Sequence, residues 1–171
     1  DRPQQKNGER RHLDEALDLI SQGEVDQALV LLAIEGEKSP QDGRVCFLLG
    51  QISADRHHLP EAIYWFSRTL ALDPLHLWAH YLLALLWIEE GRIDAALQSL
   101  KKTIYIDPNF ALGHFYLGRI YKDQRQSEKA QKSFATVKSL LGSSSLSQTL
   151  RGAKGMTTQQ LLSLVDRELN Y

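Results

Sequence analysis

Pro40, Pro74 and Pro108 stand 34 residues apart, and the chain around them repeats with that period. Alanine recurs at Ala28, Ala62, Ala96 and Ala130, and a small residue at Ala16, Gly50, Ala84 and Gly118. Leucine or phenylalanine recurs at Leu32, Phe66, Leu100 and Phe134. Leu49, Leu83 and Leu117 keep the same step, and Asp73-Pro74 and Asp107-Pro108 close two units identically. Several residue classes held in one register make the chain an array of like units. A unit of this length is a helix, a turn and a second helix, and its apolar face is buried only when neighbours stack on it. Arrays of this kind serve as binding surfaces more often than as catalysts.

The period divides the chain into residues 9–42, 43–76, 77–110 and 111–142, each with a helix A, a turn and a helix B. Ahead of them, residues 1–8 are polar and read as a flexible N-terminal tail. Gly23 and Gly91 occupy turn positions where a helix ends in a left-handed residue. The equivalent positions hold His57 and Arg125, where a left-handed backbone costs about 1–2 kcal/mol, so looser turns are expected there. Pro60 falls in the first turn of a B helix, where a missing N–H is harmless. The recurrent alanines let helix B approach helix A, with Leu32, Phe66, Leu100 and Phe134 one turn further along the same face.

The period ends at Gly142. Residues 143–155, with Ser143-Ser144-Ser145, Gly152 and Gly155, read as a linker. Residues 156–171 form an amphipathic helix capped by Thr157 or Thr158, with Leu161, Leu164, Val165 and Leu169 along one stripe. Two roles are open to this helix: covering the apolar end of the array, or folding into its groove or that of a second copy.

The third A helix carries the strongest sign of a partner. Between Leu77 and Ile88 it is apolar nearly all round. Leu83, Ala84 and Trp87 continue the repeat core, and Trp78, Tyr81, Leu85 and Ile88 form a second stripe, more than one buried face requires. The same register gives Leu13 and Leu17 in the first unit, Phe47 and Gln51 in the second, and Phe115, Arg119 and Lys122 in the fourth. With A helices lining a concave face, these residues form an aromatic and aliphatic groove with a basic end. Such a groove suits a protein or amphipathic peptide with apolar anchors.

Composition excludes several alternatives. The net charge is −1, so no global field draws the chain to nucleic acid or anionic lipid. Cys46 is the only cysteine, so there is no internal disulfide and no cysteine zinc site, which fits a cytoplasmic protein. The apolar run from Leu75 to Ile88 is too short to span a bilayer. His12, His80 and His114 share one register position with Cys46 and read as packing residues. No metal site, cofactor site or catalytic constellation is legible, and no glycine-rich phosphate loop is present.

The 34-residue pattern over residues 9–142 resembles the tetratricopeptide repeat, with unit one the most divergent because Glu15 replaces the leucine of its siblings. The resemblance implies an all-α, right-handed superhelical array of four repeats plus a C-terminal helix. The runs from Ala79 to Leu85, from Ile104 to Pro108 and from Gly113 to Gly118, together with the segment from Gly155 to Leu162, are similar to the repeat region of bacterial chemotaxis receptor methyltransferases. That narrower resemblance implies an interaction module of a larger protein. Its S-adenosylmethionine-dependent protein-glutamate methyltransferase domain would lie upstream of Asp1, and its partner would be a chemoreceptor or another chemosensory protein. An adaptor in a secretion or pilus assembly is the alternative. Some repeat domains of this class clamp a peptide carboxylate with lysines and asparagines. Leu13, Leu17, Leu48 and Leu82 cannot do so.

Overall fold

Left-handed residues punctuate the chain at the repeat period, and helices run between them. The computed structural model describes residues 3–39, 41–142, 148–150, 152 and 155–170, with side chains from His12 onward. The A helices are α1 (Pro3–Ser21), α3 (Gly43–Asp55), α5 (Leu77–Glu89) and α7 (Ala111–Asp123). The B helices are α2 (Val25–Lys38), α4 (Leu59–Leu72), α6 (Ile93–Ile106) and α8 (Ser127–Leu141), and α9 (Thr158–Asn170) comes last. Among the described residues there is no strand, only an isolated bridge between Thr149 and Thr157. No described helix is long and apolar enough to cross a membrane.

Gly23, His57, Gly91 and Arg125 have φ of 83°, 58°, 72° and 58°. At each, the next residue's N–H bonds the carbonyl five residues back: Glu24 to Leu19, His58 to Ser53, Arg92 to Trp87 and Gln126 to Tyr121, at 2.8–2.9 Å. The left-handed residue itself donates to the carbonyl three residues back, so all four turns are Schellman motifs. The looser turns expected at His57 and Arg125 do not occur. Both side chains are exposed, and the two closing bonds hold the backbone despite the Cβ. The tail expected over residues 1–8 also differs, because α1 starts at Pro3. Proline is preset for a first helical position, and Gln4-Gln5-Lys6 are strong helix formers.

Ala28, Ala62, Ala96 and Ala130 are buried, as are Leu32, Phe66, Leu100 and Phe134. The facing small residues alternate. Where the B helix carries phenylalanine, the A helix carries glycine: a Cβ on Gly50 would fall 2.7 Å from the Phe66 ring, and one on Gly118 would fall 2.7 Å from Phe134. Ala16 is buried in one core cluster with Ala28 and Leu32.

The unit ends also repeat. Asp73 and Asp107 accept from Leu75 N and Asn109 N through their side chains. His80 Nε2 lies 3.0 Å from the Pro74 carbonyl and His114 Nε2 lies 2.9 Å from that of Pro108. These two histidines are packing residues with a satisfied ring nitrogen. Thr69 and Thr103 are fully buried and donate to the carbonyls one turn back. In the first repeat that position holds Glu35, also buried, whose Oε2 lies 3.3 Å from His12 Nδ1.

The chain divides into two compact units, Asp1–Leu83 and Ala84–Tyr171, with the division falling inside α5. In the first, α1 packs on α2, α2 on α3 and α3 on α4. In the second, α6 packs on α7, α7 on α8 and α8 on α9. Thr157 caps α9: its Oγ1 accepts from Gln160 N, and Gln160 Oε1 accepts from Thr157 N, a reciprocal capping box. Thr158, the other candidate, is buried and donates to the Gln148 carbonyl. In the linker, Leu150 N bonds Met156 O and Thr158 N bonds Gln148 O, so Gln148 and Leu150 are tied to the start of α9. Ser143-Ser144-Ser145 lie outside the described residues.

Candidate partner-binding surface

Depth separates the A-helix residues singled out by the repeat register. Leu13, Tyr81 and Phe115 are buried, Tyr81 to 1% exposure. Tyr81 packs edge-on to Trp78 with ring centroids 6.1 Å apart, and Phe115 lies 6.2 Å from Phe134 and 5.4 Å from Tyr116. These three anchor their helices. Phe47, Gln51, Trp78, Leu85, Ile88 and Lys122 are half-buried, and Leu17 and Arg119 are exposed. Only the half-buried and exposed positions present side-chain surface, with the buried ones packed beneath them.

In the compact unit Asp1–Leu83, α3 of the second repeat offers Phe47 and Gln51. The Phe47 ring lies tilted against His76 with centroids 4.5 Å apart and leans on Phe66 at 5.7 Å. Burial pushes the His76 imidazole below its ordinary range, with the nearby Asp73 carboxylate opposing that shift. His76 is thus neutral near pH 7, and the surface it shares with Phe47 is aromatic rather than cationic.

On α5, Leu83, Ala84 and Leu86 are buried while Trp78, Leu85 and Ile88 keep part of their surface. Trp87 carries the Arg92 guanidinium 4.0 Å above its ring, which closes the turn into α6 with a cation–π contact. Buried residues lie on two sides of the helix, Tyr81 and Ala84 on one and Ala79, Leu83 and Leu86 on the other, with Trp78, Leu82 and Leu85 half-buried between them.

In the second unit, the basic end of the register meets α9. Lys122 Nζ bonds the Glu168 backbone carbonyl at 2.6 Å and its carboxylate at 3.1 Å, and Arg119 lies 3.6 Å from the same carboxylate. Lys138 of α8 reaches Asp166 at 2.8 Å. Beneath these pairs, Leu161 and Val165 are fully buried. α9 packs on α8 as α7 packs on α6 and α3 on α2. It takes the place of a following A helix, and it holds Arg119, Lys122 and Lys138 as it does so. Leu164 is only half-buried and Leu169 is exposed.

Two features are not evident from sequence motifs alone. The buried Glu35 sits in the register of Thr69 and Thr103, a mismatch visible once the repeats are aligned. The small–large exchange between Gly50 and Phe66, or Gly118 and Phe134, is equally visible as residue types, but only the ring-to-Cβ distance gives it meaning. Among the described residues, no group of three His, Cys, Asp or Glu could hold a metal ion.

Three family models, each described as tetratricopeptide repeat, match residues 13–76, 54–114 and 99–132. The chain is built from tetratricopeptide repeats. No curated protein matches it. Among solved structures it is similar to a crystal structure of MamA, at 22% identity and a TM-score of 0.72 over 79% of each chain. A MamA RS-1 double mutant gives 19% identity and a TM-score of 0.72 over 81% of this chain and 78% of that one. Another MamA crystal structure has 17% identity and a TM-score of 0.72, covering 95% of this chain and 82% of its own. At such identities the likeness is one of fold. The tetratricopeptide assignment explains why the register of small and large residues, rather than any catalytic motif, organises the chain.

Proposed function

We propose that this chain is a protein–protein interaction module that binds a protein or amphipathic peptide through its A helices. The observation that carries this reading is α5, which buries Tyr81, Leu83, Ala84 and Leu86 yet leaves Trp78, Leu85 and Ile88 partly open. Trp78 and Leu85 share the face between the two buried sides of the helix, and an accessible apolar face with an aromatic residue is the composition of a contact site.

The favoured setting is the regulatory or targeting region of a chemotaxis receptor methyltransferase, with the methyl-transfer chemistry on a separate domain. The support is the resemblance of the runs around His80, Pro108 and His114 and of the segment opening α9. An adaptor role in another bacterial assembly is the alternative. The test is calorimetric titration of the chain with a purified cytoplasmic fragment of a chemoreceptor. Trp78→Ala is expected to weaken binding by tenfold or more. Tyr81→Ala is unsuitable as a probe because that ring is packed in the core. No binding to the receptor fragment favours the adaptor reading, and binding unaffected by Trp78→Ala moves the site off the A helices.

A further inference from the structure

α9 fills the place of a following A helix with far less burial than an A helix inside the array. α7 and α9 are both 13 residues long, yet α7 buries seven of them and α9 buries only Thr158, Leu161 and Val165. The apolar stripe of α9 fails towards its C-terminus, where Leu164 is half-buried and Leu169, four residues after Val165, is 39% exposed. A crevice of about 210 Å³ remains there between α9 and α8, lined among others by Lys122, Ala130, Phe134, Glu168 and Leu169. The tight end of α9 is its first turn, with the Thr157–Gln160 capping box and the bond from Thr158 N to Gln148 O.

Charge holds the other end. Glu168 meets Lys122 and Arg119 of α7 at 3.1 and 3.6 Å, and Asp166 meets Lys138 of α8 at 2.8 Å. Every side chain in these pairs keeps between 29% and 56% of its surface in water. Ion pairs of that exposure add little stability and are screened by salt. Local opening is easiest where buried apolar contacts are fewest, so α9 releases before α7 and α8 separate.

The two residues under Glu168 belong to the A-helix face. Arg119 and Lys122 stand one repeat on from Leu85 and Ile88, in the register of the partly open surface of α5. Where that surface is apolar on α5, it is cationic on α7, and one carboxylate of α9 meets both cations. The seated helix thus displays the chemistry that this end of the face accepts. Two apolar residues four apart, Leu161 and Val165, go inward, and a carboxylate follows three residues later.

We propose that α9 is an autoinhibitory latch, which holds the basic end of the A-helix face closed until an acidic amphipathic helix of a partner protein takes its place on Arg119, Lys122 and Lys138. The latch rests on the A-helix reading of function, but its test uses no receptor fragment, so either can fail alone. The probe is a synthetic peptide of residues 156–171, titrated into the whole 15N-labelled chain and followed through the amides of α7 and α8. A tether gives α9 an effective concentration on the order of millimolar, so the peptide competes poorly with the parent chain. Asp166→Lys with Glu168→Lys reverses the latch charges at positions outside the buried set. That variant is expected to bind the peptide at least tenfold more tightly than the parent does. Lys122→Glu added to it should weaken the peptide at least fivefold, and a peptide carrying Glu168→Lys should recover the loss. Hydrogen exchange gives a second readout on the unaltered chain. The amides of α9 should exchange faster than those of α7. Sodium chloride at about 1 M, where screening acts within ~3 Å, should speed α9 at least threefold and leave α7 unchanged. Equal affinity of parent and variant, a charge-reversed peptide that binds the variant as well as the original does, or α9 exchange that follows α7 with and without salt would overturn the proposal and make α9 a fixed cap. Peptide exchange as expected beside a silent receptor titration would support the latch and remove the receptor setting.

Discussion

Repeats one and three differ from repeats two and four in two places at once. The odd repeats turn on glycine, at Gly23 and Gly91, and pair an A-helix alanine with a B-helix leucine: Ala16 with Leu32, Ala84 with Leu100. The even repeats turn on His57 and Arg125, and pair glycine with phenylalanine: Gly50 with Phe66, Gly118 with Phe134. The space between the two helices of a repeat is therefore filled in two ways that conserve volume. The ring takes the room the methyl group gives up. A repeat motif read position by position misses this, because the constraint falls on the sum of two side chains and not on either alone.

The largest expected effect lies where the two even repeats part ways. Repeat two is succeeded by another repeat, whereas repeat four is succeeded by α9. If α9 replaces a successor helix, its inward face should matter as a core does. Leu161→Ala, at a fully buried site, should cost about 2–5 kcal/mol by denaturant unfolding. Leu169→Ala, at an exposed site, should stay within about 0.5 kcal/mol. Equal and small losses at both would reduce α9 to an appendage.

Next in size is the volume exchange itself. Gly50→Ala puts a methyl group 2.7 Å from the Phe66 ring and should destabilise by about 1–3 kcal/mol, even though alanine is the better helix former. Adding Phe66→Leu rebuilds the odd-repeat pair and should recover part of that loss. A double-mutant cycle by urea unfolding should therefore return a coupling of at least about 1 kcal/mol. Additive effects would mean that the alternation between odd and even repeats is coincidental.

The turns give a smaller and opposite effect. The backbone at His57 is left-handed, φ 58°, like that at Gly23, so His57→Gly should stabilise the chain by about 1 kcal/mol through relief of the Cβ clash. The gain is net of the extra freedom glycine brings to the unfolded chain. Gly91→Ala should lose a comparable amount. A loss on His57→Gly in thermal unfolding would show that the imidazole contributes something its exposure hides.

The repeat register is legible in the sequence because each position keeps one side-chain class, so helix ends, turns and the buried alanines can be placed from spacing alone. The A-helix face is less legible for a physical reason. α5 is apolar nearly all round, and without polar contrast a 3.6-residue period cannot separate a packed stripe from an accessible one. Tyr81 and Trp78 look alike in sequence, yet one is core and the other is half open. Phe115 falls in the groove by register but lies buried beside Phe134 and Tyr116. Arg119 and Lys122 read as a basic end. Their partner Glu168 is separated from them by the linker, and no period carries across it.

The smallest effect concerns the end of repeat two, where His76 occupies the register of Phe110 in repeat three. The two aromatic groups fill equivalent positions, but only one can take a proton. Burial lowers the His76 pKa from its ordinary value of 6.5, so over the range between the folded and unfolded values the unfolded chain binds more protons at this site. Stability must then fall as pH drops through about 6.5 and level off once the folded-state imidazole is also charged. The Phe47 ring at 4.5 Å gives the charged form a cation–π contact that limits this loss. His76→Phe places the repeat-three residue in repeat two and removes the site. Between pH 7.5 and 5.5 the variant should lose less stability than the parent. Parallel curves would mean that protonation of His76 is balanced by the face of Phe47 and the carboxylate of Asp73.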